Sequence, residues 1–146
     1  MDWSRNLSGM PDGIYRTMNG NSDELIGIGR CIKAGYACSK VEITNARYDA
    51  VIDPGLGDGR LIRVQIKGTS TGTLNFAGGS RSGRQIDKSA PSRTYVYTRR
   101  DCDLILGVDS NNGDCYLIPV DDLVEIGNQA SLKRLAKYKE NWSYLL

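Results

Sequence analysis

The sequence contains no histidine among its 146 residues. A Ser-His-Asp or Cys-His catalytic arrangement is therefore excluded, and so is the His-Glu-x-x-His helix of zinc proteases. An enzyme built from this chain has to use carboxylates, lysine, tyrosine or a bound metal ion.

Long hydrophobic runs are also missing. No apolar stretch approaches the roughly 20 residues that a membrane-spanning helix requires. The first residues, MDWSRNLSGMPDG, lack the apolar centre of a secretory signal peptide. These absences predict a soluble, cytoplasmic protein.

Cysteines are few, and none of them forms a Cys-x-x-Cys pair. The four are Cys31, Cys38, Cys102 and Cys115. Because no histidine is available, a zinc site would need all four at unsuitable spacings, and disulfides are disfavoured in a reducing compartment. We expect these residues to be small buried apolar side chains.

The charge is small in total but uneven along the chain. The net charge is +2, yet residues 60–100 hold nine basic side chains and one acidic one, Asp87, which makes +8. The rest of the chain has 10 basic and 16 acidic residues, which makes −6. A polyanion lying against one face would explain this polarity. The alternative is a solvated face with counter-charges folded nearby.

The apolar pattern predicts one globular domain. Residues 1–20 are rich in Gly, Ser, Asn and Met without a clear period, and we interpret them as an irregular arm before a single domain over 21–146. A helix is predicted to open at Ser22, which can cap it, and to end at Gly35. Its core residues recur at helical spacing and are Leu25, Ile28, Cys31 and Ile32.

The rest of the chain predicts a sheet followed by a helix. Strand character is found over 36–44, 47–53, 60–67, 94–98, 103–109 and 115–120. A Gly-rich turn over 54–59 joins the second and third strands as a hairpin, and a long loop covers 68–92. VDDLVEI predicts a turn of helix, and a last helix is predicted over 129–139. This order indicates an α/β or α+β fold with a mixed central sheet flanked by helices.

The chemistry is concentrated on the predicted hairpin. Alternate side chains of a strand share a face, so Arg63, Gln65 and Lys67 project together between apolar neighbours. On the partner strand, Asp49 stands in an apolar stretch, where a carboxylate is costly unless it is paired or bound to a metal ion. The hairpin would bring Asp49 within reach of Gln65 and Lys67.

Such a set suits phosphodiester cleavage. A carboxylate can hold Mg²⁺, which polarises the phosphate and lowers the pKa of a bound water. A lysine near that water can orient it, accept its proton, or offset charge on the phosphate. The backbone carbonyl of Ile66, between Gln65 and Lys67, is a further oxygen ligand.

The hairpin also resembles a known family. The run ARYDAVID, a Gly-rich turn and then RVQIKG resembles the core of PD-(D/E)XK nucleases, in which an Asp ends one strand and (D/E)-x-K follows on the next. The closer resemblance is to a small branch with Q-x-K on that strand, which includes intron-encoded (group I) homing endonucleases. The later run DCDLILGVDSNNGDCYLIPVDDL is similar to the same branch, so the resemblance covers roughly residues 22–125.

Carried over residue by residue, the resemblance assigns four side chains. It implies that Asp49 binds metal, that Gln65 takes the place of the second acidic ligand, and that Lys67 is the catalytic lysine. Glu24 resembles the helix-borne glutamate that reaches the same site. A neutral amide is a weaker ligand than a carboxylate, so a site with Gln65 binds fewer metal ions or depends more on Glu24. Gln65 could also be an ordinary polar strand residue.

The resemblance further implies a function and partners. It implies a restriction-endonuclease-like core that cleaves double-stranded DNA site-specifically with Mg²⁺, or with Mn²⁺ as a substitute, in homing or restriction-like use. The protein would be prokaryotic or phage-encoded. A homo-oligomer, dimer or tetramer, would present two active sites to two strands. Two alternatives remain: a structure-selective nuclease such as a Holliday junction resolvase, and a catalytically silent DNA-binding module.

The site residues also have purely structural interpretations. Lys67 could be the solvated end of an edge strand. Asp49 could pair with Arg47 or Arg63. Glu24 could be a helix-start acid stabilised by the helix dipole.

Three further features are interpreted as structural. The glycines within 54–59 are not followed by a helix, so a phosphate-binding glycine loop is not expected there. Asp53 is expected to start this turn. Asp101 and Asp103 are expected to support the sheet or cap a strand, and are left out of the metal site.

DNA contacts are expected from the long basic loop, because arginine suits both phosphate groups and guanine edges. The alternative is a loop that contacts only solvent. The candidates are Asn75, Ser80, Arg81, Arg84, Lys88 and Arg93.

Overall fold

A mixed β-sheet forms the centre of the molecule. The computed structural model describes residues 9–43, 45–79 and 94–146, and within these ranges the chain forms two α-helices, nine strands and three short 3₁₀ helices. The helices are α1 (Asp12–Lys33), α2 (Leu123–Ile126) and the 3₁₀ helices Val120–Asp122, Ala136–Tyr138 and Trp142–Leu145. The strands are β1 (Ala37–Lys40), β2 (Ala50–Asp53), β3 (Ile62–Thr69), β4 (Thr73–Asn75), β5 (Ala77–Gly79), β6 (Thr94–Val96), β7 (Leu104–Asp109), β8 (Cys115–Pro119) and β9 (Gln129–Ser131).

The main sheet has the strand order β1-β2-β3-β7-β8. The pairs β1/β2 and β2/β3 are antiparallel, β3 and β7 are parallel, and β8 is antiparallel to β7. Two small ribbons, β4 with β9 and β5 with β6, lie outside it. The mixed sheet and the β2–β3 hairpin predicted from the sequence are therefore confirmed.

Both faces of the main sheet are covered. On one face α1 packs closely, since a Cβ at Gly27 would lie 3.0 Å from Leu106 Cδ2, and Val64, Ile66 and Leu145 belong to the same core. A second core includes Leu74, Phe76, Ile105, Tyr116 and Tyr138. Strand β7 lies between the two cores and is buried along most of its length, which explains its continuous apolar sequence.

Helix α1 starts well before the predicted position. It begins at Asp12, so the expectation of an irregular arm up to residue 20 is wrong for residues 12–20. Ser22 does not cap the helix, and its hydroxyl donates to the Asn19 carbonyl at 2.8 Å. Most side chains of the early turns are exposed. These turns were missed because polar residues and glycines dominate them, and their apolar side chains Ile14 and Met18 are too few to define a helical period.

The inner face of α1 was predicted only in part. Ile28 and Cys31 are buried, whereas Leu25 and Ile32 are more than half exposed. The helix ends as predicted, just before Gly35 with its φ of +101°. Within the residues that the structure describes, no helix has both the length and the apolar character needed to traverse a bilayer.

The helix predicted over 129–139 is wrong. Residues Gln129–Ser131 form β9, which pairs with β4, and Ala136–Tyr138 form a turn of 3₁₀ helix. Leu135 and Tyr138 are both buried, and this three-residue spacing imitates a helical pattern. The partner strand β4 lies in the polar stretch that predicted a loop, so the pairing was not visible in the sequence.

The cysteines lie in or beside the cores. Cys31, Cys102 and Cys115 are buried, Cys38 is half-buried, and all four are free thiols. Burial as small apolar side chains is therefore confirmed for three of them.

Two aspartates support the sheet, as predicted. Asp103 accepts hydrogen bonds from the Arg63 backbone N–H (2.9 Å), Nε (3.2 Å) and Nη2 (3.0 Å), which tie β3 to the start of β7. Burial alone would raise the pKa of Asp103, but the bonds from Arg63 outweigh it and hold the pKa below its ordinary value. Asp101 accepts the Thr98 N–H at 3.0 Å and pairs with Arg47 at 3.4 Å.

Asp103 is expected to make folding stability depend on pH in the acid range. Because its pKa is lowered in the fold, its contribution is complete above the unfolded value of about 3.9 and is lost as the pH falls through the lower folded value. Asp103→Asn should therefore be less stable than the wild type at neutral pH, and the difference should shrink below about pH 4. Urea unfolding across this range measures it, and a difference that does not change with pH would contradict it.

Candidate active site

A cleft opens where β2 and β3 diverge. Ala50, at the start of β2, pairs with Val64 as the last pair of this ladder, and β3 continues beyond it through Ile66. The cleft has a volume of about 670 Å³, with α1 forming one wall. It is lined by Asp12, Tyr15, Arg16, Asn19, Gly20, Asp23, Glu24, Asp49, Gln65, Ile66, Lys67, Gly68 and Ser70.

Asp49 is held at the start of β2 by its backbone and its side chain. Its N–H donates to the Val64 carbonyl and its carbonyl accepts the Val41 N–H, both at 2.8 Å. Its carboxylate accepts the Ile66 N–H at 2.9 Å. Burial raises the pKa of Asp49, and the Ile66 hydrogen bond and two nearby lysines offset only part of that effect. A buried carboxylate whose ionised form is disfavoured in this way would be stabilised by a further cation.

The Ile66 carbonyl faces the same side as its N–H. The N–H and C=O of one strand residue point to the same side of the strand. Two residues earlier, the Val64 carbonyl accepts the Asp49 N–H on that side. Ile66 therefore presents a backbone oxygen beside the Asp49 carboxylate.

Gln65 and Lys67 project from the middle of the sheet. Along β3 the even-numbered residues 62–66 are buried, while residues 63, 65 and 67 are half-buried, which is the predicted alternation. The Lys67 Nζ lies 5.1 Å from the centre of the Tyr97 ring. Because β3 is flanked by β2 and β7, the alternative that Lys67 ends an edge strand is wrong.

Glu24 reaches the cleft from α1. It lies near the middle of the helix, so an explanation through the dipole at the helix start is wrong. Its Oε2 is 3.8 Å from Lys40 Nζ. Burial, and then the negative charge of Asp49, raise the pKa of Glu24. The two carboxylates thus repel each other across the cleft, and a cation between them would relieve that repulsion.

The two arginines that were alternatives as partners of Asp49 are engaged elsewhere. Arg47 and Arg63 pair with the two sheet-supporting aspartates. Asp53 accepts the Gly55 N–H at 2.8 Å and so starts the turn, as predicted. The structural alternative for Asp49 therefore has no support in the described contacts.

A further carboxylate, that of Asp23, anchors α1 beside Glu24. Both of its oxygens accept the Ser110 hydroxyl at 2.8 Å, and the residue is 4% exposed. It packs directly on the backbone of Gly68, where a Cβ would overlap the carboxylate. This contact joins α1 to the ends of β3 and β7, and its partners Asp23 and Gly68 are the chain neighbours of Glu24 and Lys67.

Three further side chains lie around this set and were not predicted from the sequence: Asp23, Lys40 and Tyr97. They come from a helix, from β1 and from the segment after β6, so no local pattern connects them with the hairpin. One signal was present. A glycine inside a strand marks the close approach of another group, and Gly68 directly follows the Q-x-K motif.

The candidate DNA-contacting residues fall mostly outside the described part of the chain. Asn75 is exposed at the end of β4, and its Oδ1 accepts the Ala77 N–H at 2.9 Å. It does not line the cleft. The candidates outside the described residues are Ser80, Arg81, Arg84, Lys88 and Arg93.

A comparison with family models identifies the family. A model described as PD-(D/E)XK endonuclease matches residues 16–143. The chain belongs to the PD-(D/E)XK endonuclease family. The match spans the β2–β3 hairpin and Glu24, and it confirms the family that the hairpin motif resembled.

The fold of this endonuclease is similar to that of the bacterial homing endonuclease I-Ssp6803I. The solved structure of that protein superposes with a TM-score of 0.70 and 23% sequence identity, over 89% of this chain and 92% of that chain. The predicted fold class is therefore confirmed. A comparison with curated proteins gives no match.

The oxygen donors of the cleft suit a hard divalent cation. PD-(D/E)XK nucleases generally use divalent metal ions. Carboxylate, amide and carbonyl oxygens, offered here by Glu24, Asp49, Gln65 and Ile66, are the ligands that Mg²⁺ prefers. Within residues 9–43, 45–79 and 94–146, no three acidic, cysteine or histidine side chains gather as a metal site. Glu24 and Asp49 therefore depend on neutral oxygens to complete a ligand set.

Proposed function

We propose that this endonuclease hydrolyses phosphodiester bonds of double-stranded DNA, with Mg²⁺ held by Asp49, Gln65, the Ile66 carbonyl and Glu24. The observation that carries the proposal is the Asp49 carboxylate, which is held on the Ile66 N–H and faces Glu24 with both pKa values raised. Mn²⁺ is expected to substitute. The fold shared with a homing endonuclease supports site-specific cleavage, in homing or restriction-like use.

The residues of the cleft have separate roles in metal binding and in catalysis. Asp49 and Glu24 supply the negative charge that holds the ion, and Gln65 adds an oxygen without adding charge. A bound Mg²⁺ supplies Lewis acidity and a more acidic water. The Lys67 ammonium lies on the same face as Gln65, where it can stabilise the charge that develops on the phosphate or orient the attacking water.

A randomised duplex library tests this function. The wild type, incubated with Mg²⁺, should cut a subset of the duplexes, while Asp49→Asn, Lys67→Ala and an EDTA control should not. Branched junctions run in parallel separate a duplex endonuclease from a junction-selective one. Equal cutting by all three proteins would overturn the site, and preferred cutting of junctions would overturn the duplex substrate.

Metal binding is expected to stabilise the fold even without DNA. An ion that binds only the folded state adds about 2.7 kcal/mol at a concentration of 100 times its Kd. Mg²⁺ or Mn²⁺ should therefore raise the melting temperature of the wild type in thermal-shift measurements. Asp49→Asn should lose most of this rise, whereas Asp53→Asn, on the turn outside the cleft, should keep it. An equal rise in both variants would place the ion elsewhere.

We also propose that two copies of the chain act together. Helix α1 exposes four apolar side chains, Ile14, Met18, Leu25 and Ile32, each more than half exposed. Their spacings of four and seven residues place them on one stripe of the helix, away from the face that lines the cleft. A second copy packed on this stripe would leave both clefts open to DNA.

The mass of the protein in solution tests this assembly. Light scattering at concentrations that support cleavage should give a dimer or larger oligomer for the wild type, and a monomer for Leu25→Lys with Ile32→Lys. A monomeric wild type would contradict the proposal.

A further inference from the structure

The cleft extends along α1 well beyond the proposed metal ligands. Arg16 is eight residues from Glu24 on the same helix, which corresponds to about 12 Å. That length equals roughly three to four base-pair steps of DNA at 3.4 Å each. The residues of α1 that line this extension recur at intervals of three and four and are Asp12, Tyr15, Arg16, Asn19 and Gly20.

Arg16 is the basic residue of this wall. It is exposed and makes no ion pair or hydrogen bond with the residues that the structure describes. Arg30, on the same helix, is by contrast held by Glu140 at 3.0 Å and lies over the Trp142 ring. The acidic Asp12 lies one turn further from the metal ligands than Arg16. An exposed guanidinium on a concave wall is well suited to bind a phosphate group.

Gly20 keeps the cleft open between Arg16 and Glu24. A Cβ at Gly20 would meet no atom within 4 Å, so the fold itself does not require glycine here. Glycine in the middle of a helix is destabilising relative to alanine. Its effect at this position is to leave room in the cleft, since any larger side chain would project into it.

We propose that this wall, defined by Arg16, Asn19 and Gly20, binds the sugar-phosphate backbone of the cleaved DNA strand. Arg16 contacts a phosphate several nucleotides from the bond that is broken, and Asn19 offers an amide donor beside it. The proposal rests on the proposed DNA endonuclease function. Because phosphate contacts carry no sequence information, the wall contributes to affinity and register, not to base recognition.

The salt dependence of DNA binding tests the wall. Each phosphate neutralised by a cationic side chain adds about 0.9 to the slope of log K against log salt. Arg16→Ala should therefore lower that slope by about 1 and weaken binding about fivefold on any duplex sequence. Lys33→Ala, a basic residue at the other end of α1, is the control and should change neither quantity.

A pair of glycine variants tests whether the space beside Gly20 in the cleft is needed for DNA binding. Gly20→Gln and Gly29→Gln both remove a glycine from the same helix where a Cβ meets no atom within 4 Å, so both should fold at least as well as the wild type. Only Gly20→Gln should weaken DNA binding. Equal binding by the two variants, or an unchanged slope for Arg16→Ala, would overturn the wall. Binding is measured without cleavage, so this result is separate from a failure of the proposed nuclease function, which is the absence of cutting by the wild type.

A second and independent contact concerns the orientation of Lys67. The Lys67 Nζ lies 5.1 Å from the centre of the Tyr97 ring, within the range of a cation–π interaction. Tyr97 is 9% exposed and belongs to the second core. The ring is therefore held by packing, whereas the lysine side chain has four rotatable bonds. A rigid ring face beside a flexible ammonium restricts where that ammonium can lie.

We infer that Tyr97 is a positioning residue that holds Lys67 toward the cleft through the face of its ring. This inference rests on the proposed role of Lys67 in cleavage. If it holds, activity depends on the electron density of the ring and not only on its volume. Tyr97→Phe should keep most of the activity, because the ring face is retained.

Fluorinated phenylalanines at position 97 separate this role from packing. Successive fluorine atoms weaken the negative face of the ring with little change in size, so kcat should fall stepwise, about threefold to tenfold over the series, with KM unchanged. The same series at Phe76, a fully buried ring of the same core, is the control and should leave kcat unchanged. A flat series at position 97 overturns the inference. Full activity of Lys67→Ala would instead overturn the role of the lysine.

Discussion

Asp49→Asn is expected to lower the rate of DNA cleavage on the order of 1,000-fold, the size of effect seen when a principal electrostatic group is removed from an active site. The substitution keeps the shape of the side chain, and the amide oxygen can still accept the Ile66 N–H. It removes the negative charge that would hold the metal ion opposite Glu24. The loss should appear in kcat at saturating DNA, in a cleavage assay with Mg²⁺.

The same variant should lose activity without losing stability. Burial raises the pKa of Asp49 above its ordinary value, so the ionised carboxylate is disfavoured in the metal-free fold near neutral pH. Asp49→Asn should therefore melt at the same temperature as the metal-free wild type or higher. Asp53→Asn, on the exposed end of the same strand, is the matched control and should cut normally. Cleavage by folded Asp49→Asn within tenfold of the wild type, a factor worth about 1.4 kcal/mol, would rule out the proposed role.

Gly68→Ala is expected to have the largest effect on stability. The added Cβ would overlap the Asp23 carboxylate, which is buried and held by Ser110. Neither neighbour can move freely, because Asp23 lies on α1 and Gly68 on the central strand. Overpacking of this kind costs typically 1–3 kcal/mol, and we expect roughly 3 kcal/mol here. Guanidinium unfolding measures it, and cleavage should also fall, because the overlap displaces Glu24 and Lys67.

A double-mutant cycle shows whether the overlap is the cause. Asp23→Ala removes the carboxylate but leaves the Ser110 hydroxyl without this acceptor, so it should destabilise by about 1–3 kcal/mol by itself. Combined with Gly68→Ala, the loss should be clearly smaller than the sum of the two single losses. Gly29→Ala is the control for the change itself, and it should be neutral or stabilising by about 0.5–1 kcal/mol. Strict additivity of the two single variants would contradict the packing explanation.

The hairpin is the part of the site that the sequence could predict. Period-two alternation over 60–67 and the Gly-rich turn are local features, and they were enough to predict that β2 and β3 pair and that Gln65 and Lys67 share a face. The first half of α1 could not be predicted in this way. Its inner face lines the cleft with mostly polar residues instead of packing in a core. Its apolar side chains Ile14 and Met18 are too few to define the period by which helices are recognised.

The sequence by itself determined the family, the mixed sheet and the hairpin that carries Asp49, Gln65 and Lys67. The family and the mixed sheet follow from the order of the strands and the motifs they carry. The hairpin follows from contacts between residues close in the chain, where the spacing of side chains translates directly into geometry. Only the tertiary structure decided that Glu24 faces Asp49 across the cleft, that Asp23 fits against Gly68, and that Tyr97 lies beside Lys67. Those contacts join segments that are distant in the chain. Their positions are set by how α1 and the second core pack on the sheet, and a one-dimensional pattern does not contain that information.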